Sequence, residues 1–126
     1  MAFFDDFRDL IVSDPSINAA FSPRIYFQLL PKDIDKDKTW LRWGFTRADD
    51  TKCIGGGTAQ QTYNVFIDVL SKNINSLPGY GDVIYEQFEN KQYKGIKNIK
   101  ITSDLYSNYQ EEEIYVYTMN FSVVYK

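Results

Sequence analysis

The stretch of this sequence that most suggests chemistry is residues 53–61, CIGGGTAQQ, which contains three consecutive glycines. A glycine-rich loop can cradle a phosphate when it follows a strand, begins a helix and supplies a lysine. Here no lysine follows the glycines, and the next segment has the alternation of a strand, so no helix N-terminus is available for an anion. The glycines therefore indicate a bendable connection between two strands, of a length that is typical of contact loops.

Metal and nucleophile chemistry lacks its usual residues. The chain has no histidine and one cysteine, Cys53, which excludes Ser-His and Cys-His nucleophiles and cysteine-rich zinc sites. Residues 33–37, DIDKD, begin like a calcium loop, but Lys38 and Gly44 stand where that loop needs glycine and glutamate. A carboxylate pair that meets only in the fold leaves no sequence signal. We predict no catalytic residue, no metal and no cofactor, and therefore no enzyme.

Charge bears on the possible partners. A net charge of -3 gives no electrostatic reason to expect a nucleic-acid surface. Lysines at every third position, together with an acidic run at 111–113, keep open a small nucleic-acid-binding or protein-binding module as an alternative; the lysines are Lys91, Lys94, Lys97 and Lys100. No apolar run is long enough to predict a membrane span.

Hydrophobic periodicity divides the chain into two helices and five strands, in the order α-β-β-β-α-β-β. The predicted helices are residues 2–12 and 80–90, with one further turn at 16–21. A polar, glycine-rich connection is predicted over 47–59. The predicted strands are 24–30, 39–46, 60–71, 96–105 and 114–125. This pattern predicts one domain over residues 1–126, an α+β fold with a mainly antiparallel sheet and two helices packed on one face.

Apolar strand surface exceeds what two short helices can cover. The chain contains ten tyrosines and nine phenylalanines. One face of strand 114–125 is aromatic, and the other still holds Ile114, Val116 and Val124. This excess predicts a subunit interface. Exposed sheet edges favour pairing between copies, which a closed ring would satisfy without open-ended growth.

The order of these elements resembles the tail-completion (tail terminator) proteins of long-tailed bacteriophages. The resemblance rests on an opening helix with DPSINAAF, then RIYF, a strand with tryptophans, the GGG loop, TYNVFIDVLS and a final strand ending in YVYTMNFSVVYK. It covers nearly the whole chain in order. Pro78 and Gly79 at the second helix and the high tyrosine content depart from the usual pattern, which keeps related neck and tail proteins as alternatives.

The resemblance implies a structural virion protein without catalysis. Members of that family form rings, commonly hexamers, that cap the completed tail tube and join it to the head. The implied partners are further copies of the chain, a tail tube protein and a head-completion or connector protein. The implied location is the tail or neck of a virion assembled in the host cytoplasm, with neither a membrane nor a specific nucleic acid as partner. The glycine loop would match the projecting hairpin loop of the family, with a contact segment formed by Asp49, Asp50, Lys52, Gly55, Gly56 and Gly57.

Overall fold

The computed structural model describes residues 2–30, 37–52, 58–109 and 114–126. Three α-helices, one short 3-10 turn and five strands follow one another along the chain. They are α1 (Ala2–Ser13), α2 (Pro15–Phe21), β1 (Ile25–Phe27), β2 (Trp40–Lys52), β3 (Thr58–Ser71), the 3-10 turn (Ile74–Ser76), α3 (Leu77–Phe88), β4 (Ile96–Tyr109) and β5 (Ile114–Tyr125).

One mixed sheet contains all five strands, in the order β1-β2-β3-β5-β4. The pairs β2–β3, β3–β5 and β4–β5 are antiparallel, and only the short β1 runs parallel to its neighbour β2. Register is continuous across the middle of the sheet, where Val65 of β3 lies opposite both Phe45 of β2 and Phe121 of β5. The predicted α+β class with a mainly antiparallel sheet is therefore confirmed.

The helices form where apolar residues recur at helical spacing and a cap is available. In α1, Phe3, Phe7 and Leu10 lie on one face and are buried against the sheet. The carboxylate of Asp14 begins α2 by accepting hydrogen bonds from the backbone N–H groups of Ser16 and Ile17, each at 3.0 Å. This cap accounts for a separate second helix where the sequence predicts only one extra turn.

All three helices cover the same face of the sheet, and the main core lies between them. Tyr63, Val65 and Ile67 of β3 and Met119 and Phe121 of β5 point into this core. They are the alternate residues of their strands, as period-two patterning predicts. We call this side of the sheet the helix face and the opposite side the open face.

Four predicted elements differ from the observed ones, and one of them is the strand predicted over 96–105, which continues to Tyr109 as β4. The predicted connection 47–59 is largely strand, because β2 continues to Lys52 and β3 starts at Thr58; antiparallel backbone pairing needs no apolar side chains. The predicted helix 80–90 is Leu77–Phe88, since proline is tolerated in a first helical turn. The predicted strand 24–30 is only Ile25–Phe27, because Gln28 has a left-handed φ of 62°.

The open face of the sheet has a smaller apolar cluster of its own. Trp40, Leu70, Ile114 and Val116 pack together, with Tyr26 and Leu30 against them. Ile114 and Val116 are therefore buried within the chain. They do not supply the exposed interface that the sequence predicts for this face, and Val124, the third residue of that prediction, is half-buried.

Candidate assembly surface

The β2–β3 hairpin is the part of the sheet that projects furthest. β5 ends at Tyr125, which lies opposite Gln61 of β3. The β2–β3 pairing continues past that point to Lys52 opposite Thr58. A two-stranded arm therefore extends beyond the body of the sheet, which is the geometry that a projecting contact loop requires.

The predicted contact segment lies on and next to this arm. Three of its six residues belong to the last part of β2, namely Asp49, Asp50 and Lys52. The other three lie outside the described residues, namely Gly55, Gly56 and Gly57. The structure thus places the described half of the segment at the projecting end of the sheet and leaves its role as a contact surface a prediction.

A row of bonded polar side chains crosses the centre of the open face. Arg42, Asp68 and Thr118 are directly opposite one another on β2, β3 and β5. One carboxylate oxygen of Asp68 accepts hydrogen bonds from Nε (3.0 Å) and a terminal nitrogen (2.5 Å) of Arg42; the other accepts from Oγ1 of Thr118 (2.6 Å). Asp68 is only 4% exposed. These hydrogen bonds replace those that the buried carboxylate would make to water.

The outer edge of β4 is divided into a covered and an uncovered half. In the first half, the Asn90 N–H donates to the Ile99 carbonyl at 2.8 Å, and the Ile101 N–H donates to the Glu89 carboxylate at 2.8 Å. A bulge follows between Ile101 and Ser103. Beyond it, no strand or helix in the described part of the chain bonds to this edge. The uncovered half is a free row of backbone donors and acceptors.

Four of the seven large apolar side chains that are exposed in the described part of the chain lie at the two sheet edges. Phe27 and Leu29 lie at the β1 edge, and Leu29 is 82% exposed. Leu105 and Tyr106 lie on the uncovered half of β4, where they are 63% and 48% exposed. The sequence pattern did not predict that these four residues are exposed at edges. A signal was present in Leu105 and Tyr106, since two adjacent apolar residues in a strand must occupy opposite faces and cannot both be buried by one layer of helices.

A stacked tyrosine pair fixes the uncovered half of β4 to the body of the domain. The rings of Tyr106 and Tyr117 are 4.3 Å apart and nearly parallel. The Tyr117 hydroxyl donates to Asp104 at 2.6 Å. Burial raises the pKa of the Tyr117 hydroxyl well above its ordinary value, and the hydrogen bond to Asp104 adds to the shift. Gly81 of α3 lies against the same ring, where a side chain would not fit.

The other residues considered in the sequence do not come together as a site. Lys94 forms an ion pair at 2.8 Å with Asp9 of α1, and this hydrogen bond lowers the pKa of the Asp9 carboxyl. Lys100 lies opposite Ser122 on the open face, so the lysine series is not one patch. Residues 33–36, 111–113 and Cys53 lie outside the described residues.

Within the described ranges, no group of three or more acidic or cysteine side chains is placed to hold a metal ion. No α-helix among those ranges is long and apolar enough to cross a lipid bilayer.

One open depression of about 400 Å³ is lined by polar side chains that include Asp37, Lys72 and Asn73. These side chains include no histidine or cysteine. The distinctive features of the molecule are thus its projecting hairpin and its sheet edges.

Comparison with known proteins gives a likeness in fold. No protein-family model and no curated protein sequence matches the chain. Among solved structures, it is similar to a chain from the virion of a native gene transfer agent particle. That superposition has a TM-score of 0.71 and covers 96% of this chain and 92% of the other, with 9% sequence identity. At this identity the two chains share a fold over nearly their whole lengths.

Proposed function

We propose that this protein is a structural subunit of a virion, of the tail terminator type. It forms a ring, by family resemblance a hexamer, that caps the tail tube and joins it to the head. The observation that carries the proposal is the likeness over 96% of the chain to a virion component. A shared fold does not by itself fix a function, but here it coincides with the family that the order of the sequence elements resembles.

The geometry of the sheet supports an assembling subunit over an isolated one. Four exposed apolar residues lie at the two edges of one sheet, and half of β4 has no partner strand in the described part of the chain. An uncovered edge of this kind is a hazard for a free monomer, and pairing with another subunit removes it. The partners that we propose are further copies of the chain, a tail tube protein and a head-completion or connector protein.

The β2–β3 arm is the proposed contact with the neighbouring ring component. Lys52 lies at its end and Asp49 and Asp50 lie at its base, and Gly55, Gly56 and Gly57 follow in sequence. Glycine adopts conformations that other residues reach only with strain, which suits a segment that must fit a partner's surface. Replacing the three glycines by alanine should leave the circular dichroism spectrum unchanged and reduce the yield of joined particles. Gly79→Ala, in a helix away from the arm, is the matched control.

The test of the function is the phenotype of particles that lack the protein. We expect tails of irregular length that fail to join heads, and we expect the labelled protein at the head-proximal tail end in electron micrographs. A tail tube protein would instead be labelled along the whole tail, and a connector would remain with the heads. Tails of normal length that join heads without this protein would refute the proposal.

A further inference from the structure

We infer that copies of this chain pair edge to edge, with the uncovered half of β4 in one copy hydrogen-bonded antiparallel to β2 beyond Trp43 in the next. The inference rests on the proposed ring and assigns the strands that close it. Each copy then uses two different edges, so the contact is head-to-tail and can close into a ring. A pairing of two identical edges would instead stop at a dimer.

The first strand of the contact is residues 103–109, the half of β4 beyond the bulge. Alternation along the strand turns the backbone groups of Asp104 and Tyr106 outward, as it does for Ile99 and Ile101 before the bulge. Glu89 and Asn90 occupy only the earlier positions. Sheet edges that must stay free usually carry lysine or proline, and residues 103–109 contain neither. The edge is therefore open and not defended against pairing.

The second strand of the contact is the part of β2 that follows Trp43, where its pairing with β1 ends. β1 pairs only with Leu41, Arg42 and Trp43, whereas β2 continues to Lys52. No other strand of the described chain lies beside this second half of β2. Exposed Phe27 and Leu29 lie where the neighbouring subunit would approach. The strand thus offers a length of edge similar to that of the uncovered half of β4.

Direction and position of the two edges fit a second copy of the chain. The register shows that β2 and β4 run in opposite directions, so copies standing side by side in one orientation pair them antiparallel. The uncovered half of β4 and the second half of β2 lie at opposite ends of the sheet, since Leu105 shares a row with Arg42, near the start of β2. Pairing them requires each copy to shift along the strand direction relative to its neighbour.

The required shift has the size that closed sheets use. From Arg42 to the middle of the second half of β2 is about six residues, or about 20 Å at the rise of a strand. The repeat between copies is four strands wide, because β1 ends before the contact, and four strands span about 19 Å. A shift of about 20 Å over that width tilts the strands by about 45° from the ring axis, at the upper end of the range of closed barrels. The two edges are therefore complementary in direction, length and stagger.

Cysteine cross-linking in purified particles tests the assignment. In a Cys53→Ser background, Leu105→Cys and Thr46→Cys place one thiol on the open-face side of each edge. With a short bismaleimide, the double variant should give a ladder of dimers, trimers and larger products, and either single variant should give none. Dimers from Leu105→Cys alone would overturn the inference in favour of a symmetric β4–β4 contact. Particles that contain the double variant but give no ladder would overturn it while leaving the ring itself intact.

A charge at the edge provides a second test that does not depend on the register. Leu105→Lys should leave the melting temperature unchanged, because the side chain is exposed, and should prevent incorporation of the protein into particles. Ile74→Lys, a similarly exposed apolar position away from both edges, should be incorporated like the wild type. Normal incorporation of Leu105→Lys would contradict the edge assignment. If the wild-type protein is itself absent from purified particles, the proposed function is refuted.

Discussion

The helix face of the sheet buries a continuous set of aromatic and aliphatic side chains from three helices and four strands. The open face buries one corner around Trp40 and crosses its centre with the bonded row Arg42–Asp68–Thr118. The same strands contribute to both faces through alternate residues. The helix face therefore contains most of the buried apolar surface, whereas the open face combines a small apolar cluster with a row of hydrogen-bonded polar side chains.

The largest effect should follow a charge placed in the helix-face core. Phe121 is 1% exposed and contacts Phe88 of α3. Phe121→Asp should cost more than about 4 kcal/mol, because a lost aromatic side chain and a buried charge add together. Ser122→Asp, one residue further along but on the open face, should cost less than about 1 kcal/mol. Urea unfolding of both variants measures the difference, and equal losses would mean that the two faces do not differ as described.

A pair of glycines in α3 sharpens the comparison within one helix. A methyl group at Gly81 would lie 2.2 Å from the Tyr117 ring, whereas at Gly79 it would meet nothing within 4 Å. Gly81→Ala should cost about 2 kcal/mol by overpacking. Gly79→Ala should stabilise the helix by about 0.5 kcal/mol, because alanine has the higher helix propensity. Thermal unfolding distinguishes the two, and a neutral Gly81→Ala would show that the ring moves aside at little cost.

The sequence predicts the helix-face core better than any other feature. Phe3, Phe7, Val65, Ile67 and Phe121 follow helical or strand periodicity, and each is buried where the pattern places it. Those patterns arise because one layer of helices covers one face of the sheet. The α+β class follows from the same periodicity without knowledge of any contact between elements.

The candidate surface is harder to predict because it depends on pairing partners. The amino-acid sequence of β1 does not predict that this strand runs parallel to β2 or that it ends after three residues. The position of Glu89 on the β4 edge likewise depends on how α3 ends, at a left-handed Asn90. The sequence predicts Ile114 and Val116 as part of an interface, but Leu30 and Trp40 pack against them from distant parts of the chain. Which strand lies at an edge of the sheet, and which residues cover that edge, depends on tertiary contacts that the sequence pattern does not contain.

Substitutions in the polar row of the open face should lower the free energy of unfolding less than Phe121→Asp or Gly81→Ala does. Asp68→Asn preserves the shape of the side chain and removes the charge that faces Arg42. We expect a loss of about 1–2 kcal/mol, since the Arg42 side chain is 23% exposed and water partly replaces its partner. Thr118→Val removes one hydrogen bond and should cost about 1 kcal/mol or less. If Asp68→Asn unfolds at the same urea concentration as the wild type, the row contributes no stability.

The smallest expected change in stability concerns the hydrogen bond that connects α1 to the end of β5. Its pH dependence is confined to alkaline pH. The Tyr125 hydroxyl donates to Asp6 at 2.7 Å. Burial, followed by this hydrogen bond, raises the pKa of Tyr125 to about 12. Because the folded state holds this proton more tightly than the unfolded chain, the contribution is complete below pH of about 10 and is lost as the pH rises toward 12.

Tyr125→Phe should therefore be slightly less stable than the wild type at pH 8 and should lose less stability between pH 10 and 12. The effect is partial, since Tyr117 also has a raised pKa and titrates in both proteins. Urea unfolding at several pH values measures it, with Tyr85→Phe as the control at an exposed tyrosine of α3. Parallel curves for Tyr125→Phe and the wild type would mean that the bond to Asp6 does not hold the proton. The attachment of α1 would then depend on the stacked aromatic contacts of Phe3 with Tyr63 and its neighbours.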